Sequence, residues 1–507
     1  MALHFKLLLI ALLGCGVLAQ LACRKPDEFN TTAGVTFTRD TVRFDTVFVA
    51  RGSATRYFKI KNTANKRLKI DEISLKGGAN SQFKLNIDGT PTAIARDVEV
   101  EPNDSLYVFV QVNIDPNNSD APFIVSDEVV TKTNGNTQRV VLEAFGQNAN
   151  YIGARAGLKR IKQDATFNST KPYVVYGTFL VDSTATLTLA PGTRIYVHGG
   201  IVKKNGIYID PADYPYYDGT LRIEGNLKAM GTKQQPIIIT GDRLEHDREQ
   251  TLEALNYSEV TGQWQGLLFI GEYSKQNELN YCVIKNAVFG VAVVSDSKVK
   301  IRNSILHNHS AFCLYSFDSE GIEAENSLFY SANIGVVSAS YGGNCKFDHC
   351  TIACYGSPSQ IEHAKPSLVL SNFWCKETDA VGSCIDRKYK QTSATFRNCI
   401  IYGSLNDEIV LDKQADGGAV ATLDAKFDNC LIRKKDLKLS DGTFTNCTFN
   451  SDPNYPRFKN VDKLNYTLDS LSGARGLALR IAGIDRDLLD APRKTPNTAV
   501  GCYEYGY

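Results

Sequence analysis

The sequence predicts an all-β protein, an antiparallel β-sandwich followed by a parallel β-helix. Two patterns carry that expectation. The first is a six-residue phrase written seven times, as LNYCVI (Leu279 to Ile284), IRNSIL, AENSLF, FDHCTI, FRNCII, FDNCLI and FTNCTF (Phe444 to Phe449). Its fourth position falls at Cys282, Ser304, Ser327, Cys350, Cys399, Cys430 and Cys447, and the first three gaps are 22, 23 and 23 residues. A fixed period of this size marks one structural unit per repeat, each stacked on the last. The second pattern is strict apolar–polar alternation in short runs between residues 35 and 148, with turn residues between the runs. Neither region shows the 3.6-residue period of an amphipathic helix.

The bulk numbers agree with a folded chain. Apolar residues make up 43% of the 507 and charged residues 22%, outside the range of disordered chains. The net charge of +1 gives no electrostatic case for nucleic acid or an anionic membrane surface.

Residues 1–22 read as an export signal. A weakly basic start is followed by the apolar run LLLIALLGCGVLA, too short for a confident permanent span. The junction QLAC, ending at Cys23, resembles a bacterial lipoprotein signal, in which the cysteine becomes the acylated N-terminus. LLGC, ending at Cys15, fits the same pattern locally, but polar sequence begins only after Cys23. An ordinary cleaved signal is the alternative. Residues 23–34 then form a charged tether.

Residues 35–148 hold strand-like segments such as RYFKIKN, LKIDEISL and SLYVFVQVNI, separated by GGAN, EPND and DPNNS. Turn signals every 8–12 residues argue for a sandwich. The run VEPNDSLYVFVQV resembles the immunoglobulin-like modules of secreted bacterial proteins, which implies a spacer. Residues 149–172 read as a polar connector. Residues 173–455 form the predicted β-helix and residues 456–507 its closing segment.

The repeat phrase has a physical reading. Its first residue ends a strand and points inward. Asn follows at a tight corner, because Asn tolerates the left-handed conformation better than other residues bar Gly. The next Cys or Ser and the final Ile point inward, with a polar residue between them pointing outward. Asn303, Asn326, Asn398, Asn429 and Asn446 are therefore expected to form a ladder of amides bonded rung to rung. Gly290, Cys313 and Gly335 are expected to form a second column.

APGTRIYV, LRIEGNLKAMGT with PIIIT, and WQGLLF resemble the opening rungs of right-handed β-helix lipoproteins of Bacteroidetes. DPNYPRFKNVDKLNYTLDSLSGARGLA and IDRDLLDAPRKTPNTAVGCYEYGY resemble their closing segment, although Asp490-Ala491-Pro492-Arg493 lacks the usual glycine and Cys502 replaces an alanine. The resemblance implies right-handedness, and RKPDEFNTTAG after Cys23, which resembles the charged tether of Bacteroidetes lipoproteins, implies display at the outer membrane, on the cell surface. It brings no reaction with it.

β-Helices often bind or cut polysaccharides, but neither an Asp-Asp pair nor a Gly-His-Gly of the polygalacturonase kind is present. No cofactor motif appears. Asp210, Asp213 and Asp218, and separately Asp407, Glu408 and Asp412, are the calcium candidates. His307 and His309 alternate and are expected on one face. Cys345, His349, Cys350 and Cys354 superficially suggest zinc, but the repeat already accounts for Cys350 as an interior residue.

Eleven cysteines follow Cys23, so at least one thiol is left over. The ladder cysteines read as small hydrophobes. Cys375 and Cys384 fall in an insertion, Tyr355 to Thr395, and are the candidate disulfide there.

Two insertions concentrate aromatic residues. One carries Tyr208, Tyr214, Tyr216 and Tyr217; the other carries Phe373, Trp374, Arg387 and Tyr389. Exposed rings stack on sugar faces, and Arg pairs with acidic groups. Glycan contact is thus expected at the insertions, not on the repeat faces, whose outward corner residues Arg397, Asp428 and Thr445 change type from rung to rung. The leading expectation is a surface-anchored lipoprotein with a non-catalytic, glycan-contacting rod. The alternatives are a polysaccharide lyase or glycoside hydrolase on the same fold, or a structural or adhesive surface component.

Overall fold

The computed structural model describes residues 29–49, 52–53, 55–117, 119–199, 219–244, 260–356, 361–379, 383–414, 422–436 and 443–506. The chain divides into two compact units between Gln147 and Asn148.

The first unit is a sandwich of two five-stranded sheets. Alternating residues of both sheets, among them Phe44, Phe58, Ile70, Val108 and Leu142, share one buried core. All strand pairs in it are antiparallel except Thr41–Phe48, which lies parallel to Asn136–Gln147. Arg56 is buried within this unit and pairs with Asp45 at 3.1 Å.

The second unit is a parallel β-helix with three faces. One rung shows the pattern: Lys298–Arg302 on the first face, Ile305–His309 on the second, Phe312–Phe317 on the third. The next rung repeats it with Gly321–Glu325, Leu328–Ala332 and Gly335–Ser340. The first position of the phrase forms an unbroken in-register column on the first face: Leu279, Ile301, Ala324, Phe347, Phe396, Phe427, Phe444. The coil starts earlier than the sequence suggested. Within the expected connector, Asn150–Ile161 pairs with Tyr173–Val181 and Ala165–Phe167 pairs with Thr186–Leu189. Only alternation, not hydrophobicity, marks these strands, which is why they read as a linker.

In the central rungs the corners use left-handed backbone. The phrase corner runs Tyr281, Asn303, Asn326, His349, Asn398, Asn429, Asn446, all with φ between 48° and 54°. A second corner holds Asn286, Asn308 and Ser331, and a third Asp296, Asp318 and Tyr341. The expected amide ladder is short. Asn303 Nδ2 donates to Asn280 Oδ1 (3.0 Å) and Asn326 Nδ2 to Asn303 Oδ1 (2.7 Å). There it breaks, because the closing segment inserts: Arg493 Nη2 donates to Asn326 Oδ1 at 2.7 Å. Asn398 reaches His349 (3.0 Å) and Leu479 O (2.8 Å), and Asn429 turns to its neighbour Asp428. What continues is the backbone: each corner N–H donates to the carbonyl one rung on, as Asn326 does to Asp348 O (2.9 Å). The expected second column is also off by one residue, since Gly335 lies opposite Phe312, not Cys313.

Residues 456–506 do not simply follow the last rung. They run back along the outer side of the second face, where Tyr466, Leu468, Leu488, Val500 and Tyr503 bury Leu328, Tyr330, Ile400, Tyr402 and Leu431. Cys502 N donates to Thr351 Oγ1 (3.1 Å), which registers the segment on the coil.

Candidate functional site

The outward surface of the third face carries rings. Strands Ala287–Val294 and Phe312–Phe317 lie side by side, with Phe289 opposite Phe312. These two rings stack at 6.3 Å between centroids. The next residue in that column is Gly335, whose missing side chain leaves the Phe312 ring room: a Cβ there would lie 3.1 Å from it. Tyr315 packs against both Phe289 (5.3 Å) and Phe312 (5.6 Å). Phe317 continues the row, 6.3 Å from Tyr315 and 5.4 Å from Tyr341 at the third corner.

The insertion then adds to this row. Phe373–Thr378 and Cys384–Tyr389 form an antiparallel hairpin that places Trp374 opposite Lys388 and Phe373 opposite Tyr389. Cys375 and Cys384 are joined in a disulfide. Trp374 stays 41% exposed while presenting its edge to Phe317 (5.6 Å) and Tyr341 (6.0 Å). Arg387 lies over the Phe373 ring at 5.6 Å. The hairpin and the coil face therefore make one ring surface, Phe289 to Trp374. The expectation that repeat faces carry no binding stripe came from first-face residues and does not extend to the third face. Two features point to this row in the sequence: ring residues at 289 and 312 recur at the repeat period, and Gly335 follows in step.

Charges border the rings. Lys390 bonds Asp318 and lies 3.9 Å from Asp296, and Lys388 pairs with Asp386 at 3.0 Å. The Asp318 hydrogen bond holds the Lys390 ammonium above its ordinary range. Half-buried apolar rings with charged groups at the margin suit a ligand with apolar faces and polar edges.

The first face is different. Its outer surface holds a concavity of about 450 Å³ lined by Lys298, Glu320, Glu323, Asn344, Lys346, Thr395 and Arg397. Its charges are already paired: Lys298 with Glu323 (2.8 Å), Lys275 with Glu320 (2.8 Å), and Arg397 with both oxygens of Asp348 (2.6 Å each). The Lys298 hydrogen bond holds Glu323 below the usual carboxylate range, while burial and the nearby Asp348 charge push Glu325 up.

Several expected sites are placed elsewhere. Glu408 is fully buried, accepts three protein N–H or O–H bonds and faces His363, so it does not belong to an open acidic cluster with Asp407 and Asp412. His307 and His309 do not share a face, because left-handed Asn308 between them breaks the alternation. His307 stacks on Tyr330 (4.7 Å), while His309 turns inward over Gly290 and accepts from Ala287 N (3.2 Å). Burial lowers both imidazoles, His309 to about 3. Among the described residues no group of three or more His, Cys, Asp or Glu side chains is placed to hold a metal. Cys345, Cys350 and Cys354 are buried free thiols. Cys23, Asp210, Asp213, Asp218, Tyr208, Tyr214, Tyr216 and Tyr217 lie outside the described residues.

Comparison with known proteins gives a family of fold, not of activity. A family model described as "right handed beta helix region" matches residues 245–388. No curated protein matches the chain. Solved structures that match include a GH87 α-1,3-glucanase catalytic domain in complex with tetrasaccharides, at 10% identity and a TM-score of 0.20, covering 84% of this chain and 90% of that one. Another is the catalytic unit of a thermostable GH87 α-1,3-glucanase from Streptomyces thermodiastaticus, at 9% identity and 0.17, covering 77% and 88%. A family 123 glycoside hydrolase from Clostridium perfringens matches at 7% identity and 0.17, covering 24% of this chain and 31% of that one. At such scores the likeness carries no inference about reaction or substrate. The matched family model and the stacked parallel strands together make the second unit a right-handed parallel β-helix.

Proposed function

We propose that this chain is a surface-displayed lipoprotein, acylated at Cys23, whose β-helix contacts glycans through the ring surface from Phe289 to Trp374. The continuity of that surface carries the reading. Rings on neighbouring strands and on the hairpin lie 5.3–6.3 Å apart, so one extended sugar chain meets several in succession. Arg387, over the Phe373 ring at the margin, can pair with an acidic group on such a chain. In this reading the sandwich is a spacer of immunoglobulin-like type between anchor and rod.

A glycan array followed by calorimetry tests it. Trp374→Ala should weaken binding by about 1–2 kcal/mol, roughly tenfold, with little change in melting temperature. Phe317→Ala, on the coil itself, should weaken it similarly. Lower melting temperatures with unchanged affinity would mean that the rings only pack the hairpin down. Anchoring is tested separately: Cys23→Ser should move the protein from the membrane to the soluble fraction, and retention there, with release by Cys15→Ser instead, would assign the wrong cysteine.

The enzymatic alternative has one observation in its favour. Glu323 and Glu325 are outward neighbours on strand Gly321–Glu325, about 6.6 Å apart along the chain, with environments that drive their protonation in opposite directions. Two such carboxylates are what glycoside hydrolysis uses. Reading ultraviolet absorbance and reducing ends from the same polysaccharides separates cleavage from binding. An array with neither leaves the structural or adhesive reading.

A further inference from the structure

Three side chains outside the ring surface and the charged groove form a hydrogen-bonded relay. Ser404 sits exposed in the bend after Ile400–Gly403. Its hydroxyl lies 2.7 Å from His363 Nδ1. His363 Nε2 lies 3.2 Å from Glu408 Oε2. His363 is buried and held in left-handed backbone (φ 48°), and Glu408 is completely enclosed. The carboxylate is fixed by Ser367 N (2.9 Å), Ser367 Oγ (2.8 Å) and Leu405 N (2.8 Å). A carboxylate cannot donate, so Nε2 carries a proton toward it. In the neutral ring Nδ1 then offers its lone pair to the Ser404 hydroxyl.

From this geometry we infer that Ser404, His363 and Glu408 form an acyl-transfer site that hydrolyses small carboxylic esters, with Ser404 as nucleophile, His363 as general base and Glu408 as the positioning residue. The arrangement is that of an activated serine: hydroxyl, base and orienting carboxylate in a chain, with only the hydroxyl reaching solvent. Ser404 Oγ adds to the ester carbonyl carbon as its proton passes to His363 Nδ1. The bond to the alcohol oxygen breaks, and His363 returns the proton to the departing alcohol. Water then adds to the acyl-serine, giving its proton to His363. The carboxylic acid leaves, and Ser404 regains its hydrogen. Ser404 lies in a surface bend and not at the floor of an apolar cleft, which favours an acetyl group over a long acyl chain.

The groups facing the base set its pH behaviour. Burial works against a charge on His363, but its hydrogen bonds to Cys354 and Glu408 outweigh it and raise the imidazole to about 9. Arg433 of the next rung bonds Gly403 O beside the bend. Reactivity should therefore climb with pH and level off only above about 9.

The test uses the full chain with a fluorophosphonate probe and with p-nitrophenyl acetate and octanoate. Labelling at Ser404, located by peptide mass spectrometry, and acetate release that Ser404→Ala lowers at least about 100-fold would support the site. Ser404→Ala removes an exposed hydroxyl, so its melting temperature should stay near that of the parent and rule out misfolding as the cause. Labelling on another residue, labelling that survives in Ser404→Ala, or no ester turnover above the Ser404→Ala rate would overturn it. Preference for octanoate would overturn the assignment of a small acyl group.

Discussion

Glu408→Ala is expected to destabilise the coil by about 3–5 kcal/mol, the range for breaking a buried charged pair by removing one partner. The side chain is fully enclosed, and its loss leaves His363 Nε2, Ser367 N and Leu405 N facing a cavity with no acceptor. Each orphaned donor keeps its desolvation cost without its bond. The parent should also show a pH signature. His363 is raised to about 9 from an ordinary 6.5, chiefly by Cys354 and Glu408 against the opposing effect of burial. The folded state thus binds that proton more tightly than the unfolded chain. The associated stability is present in full below pH 6.5 and is lost as pH rises through about 9. Urea unfolding of parent and variant between pH 6 and 10 checks both points. The variant should be weaker at pH 6, and the gap should narrow toward pH 10. A Glu408→Gln protein as stable as the parent at pH 6 would show that hydrogen bonding, not charge, holds the pair.

The phrase F-x-N-C-x-I was legible because interior residues of a parallel stack must recur at the rung period. Phe347, Phe396 and Phe427 could be aligned by eye and do lie in register. The amide ladder was only partly legible, since it depends on what the outside of the corner meets. Nothing local to Asn326 announces Arg493, 167 residues away. One clue to the cover was present. The outward position of the phrase is apolar at Leu328, Ile400 and Leu431, where an exposed face would carry polar residues, and these are the residues buried by Tyr466, Leu468 and Tyr503. The ring surface was half legible: Trp374 stood out in its insertion, but its partners Phe317 and Tyr341 belong to ordinary repeat strands and corners. Their meeting is a property of the hairpin's docking, which residue spacing does not encode. His363 and Ser404 were not legible at all, and Glu408 was read only as part of an acidic cluster with Asp407 and Asp412. Each comes from a break in the repeat, and their only common feature is proximity after folding.

Phe396→Ala should cost about 3–5 kcal/mol, as removal of a fully buried phenylalanine usually does. The ring lies between Phe347 (4.7 Å, planes 8° apart) and Phe427 (4.8 Å, 6°), and Phe427 continues to Phe444 at 4.7 Å. These separations are the strand spacing itself, so parallel register stacks like on like without distorting the backbone. Alanine at 396 removes the middle of the column and leaves a void with rings above and below it, which neither can fill while its own strand stays in register. In a quasi-one-dimensional coil such a gap weakens the coupling between rungs as well as the rung it sits in. Phe444→Ala is the internal comparison, because Phe444 ends the column and is only partly buried. It should cost no more than about half as much, with the unfolding transition still single. Phe396→Ala should instead broaden or split the transition, as rungs beyond residue 396 unfold before those preceding residue 347. Equal losses for the two variants, each with one sharp transition, would show that the phenylalanine column contributes only bulk burial and does not link one rung to the next.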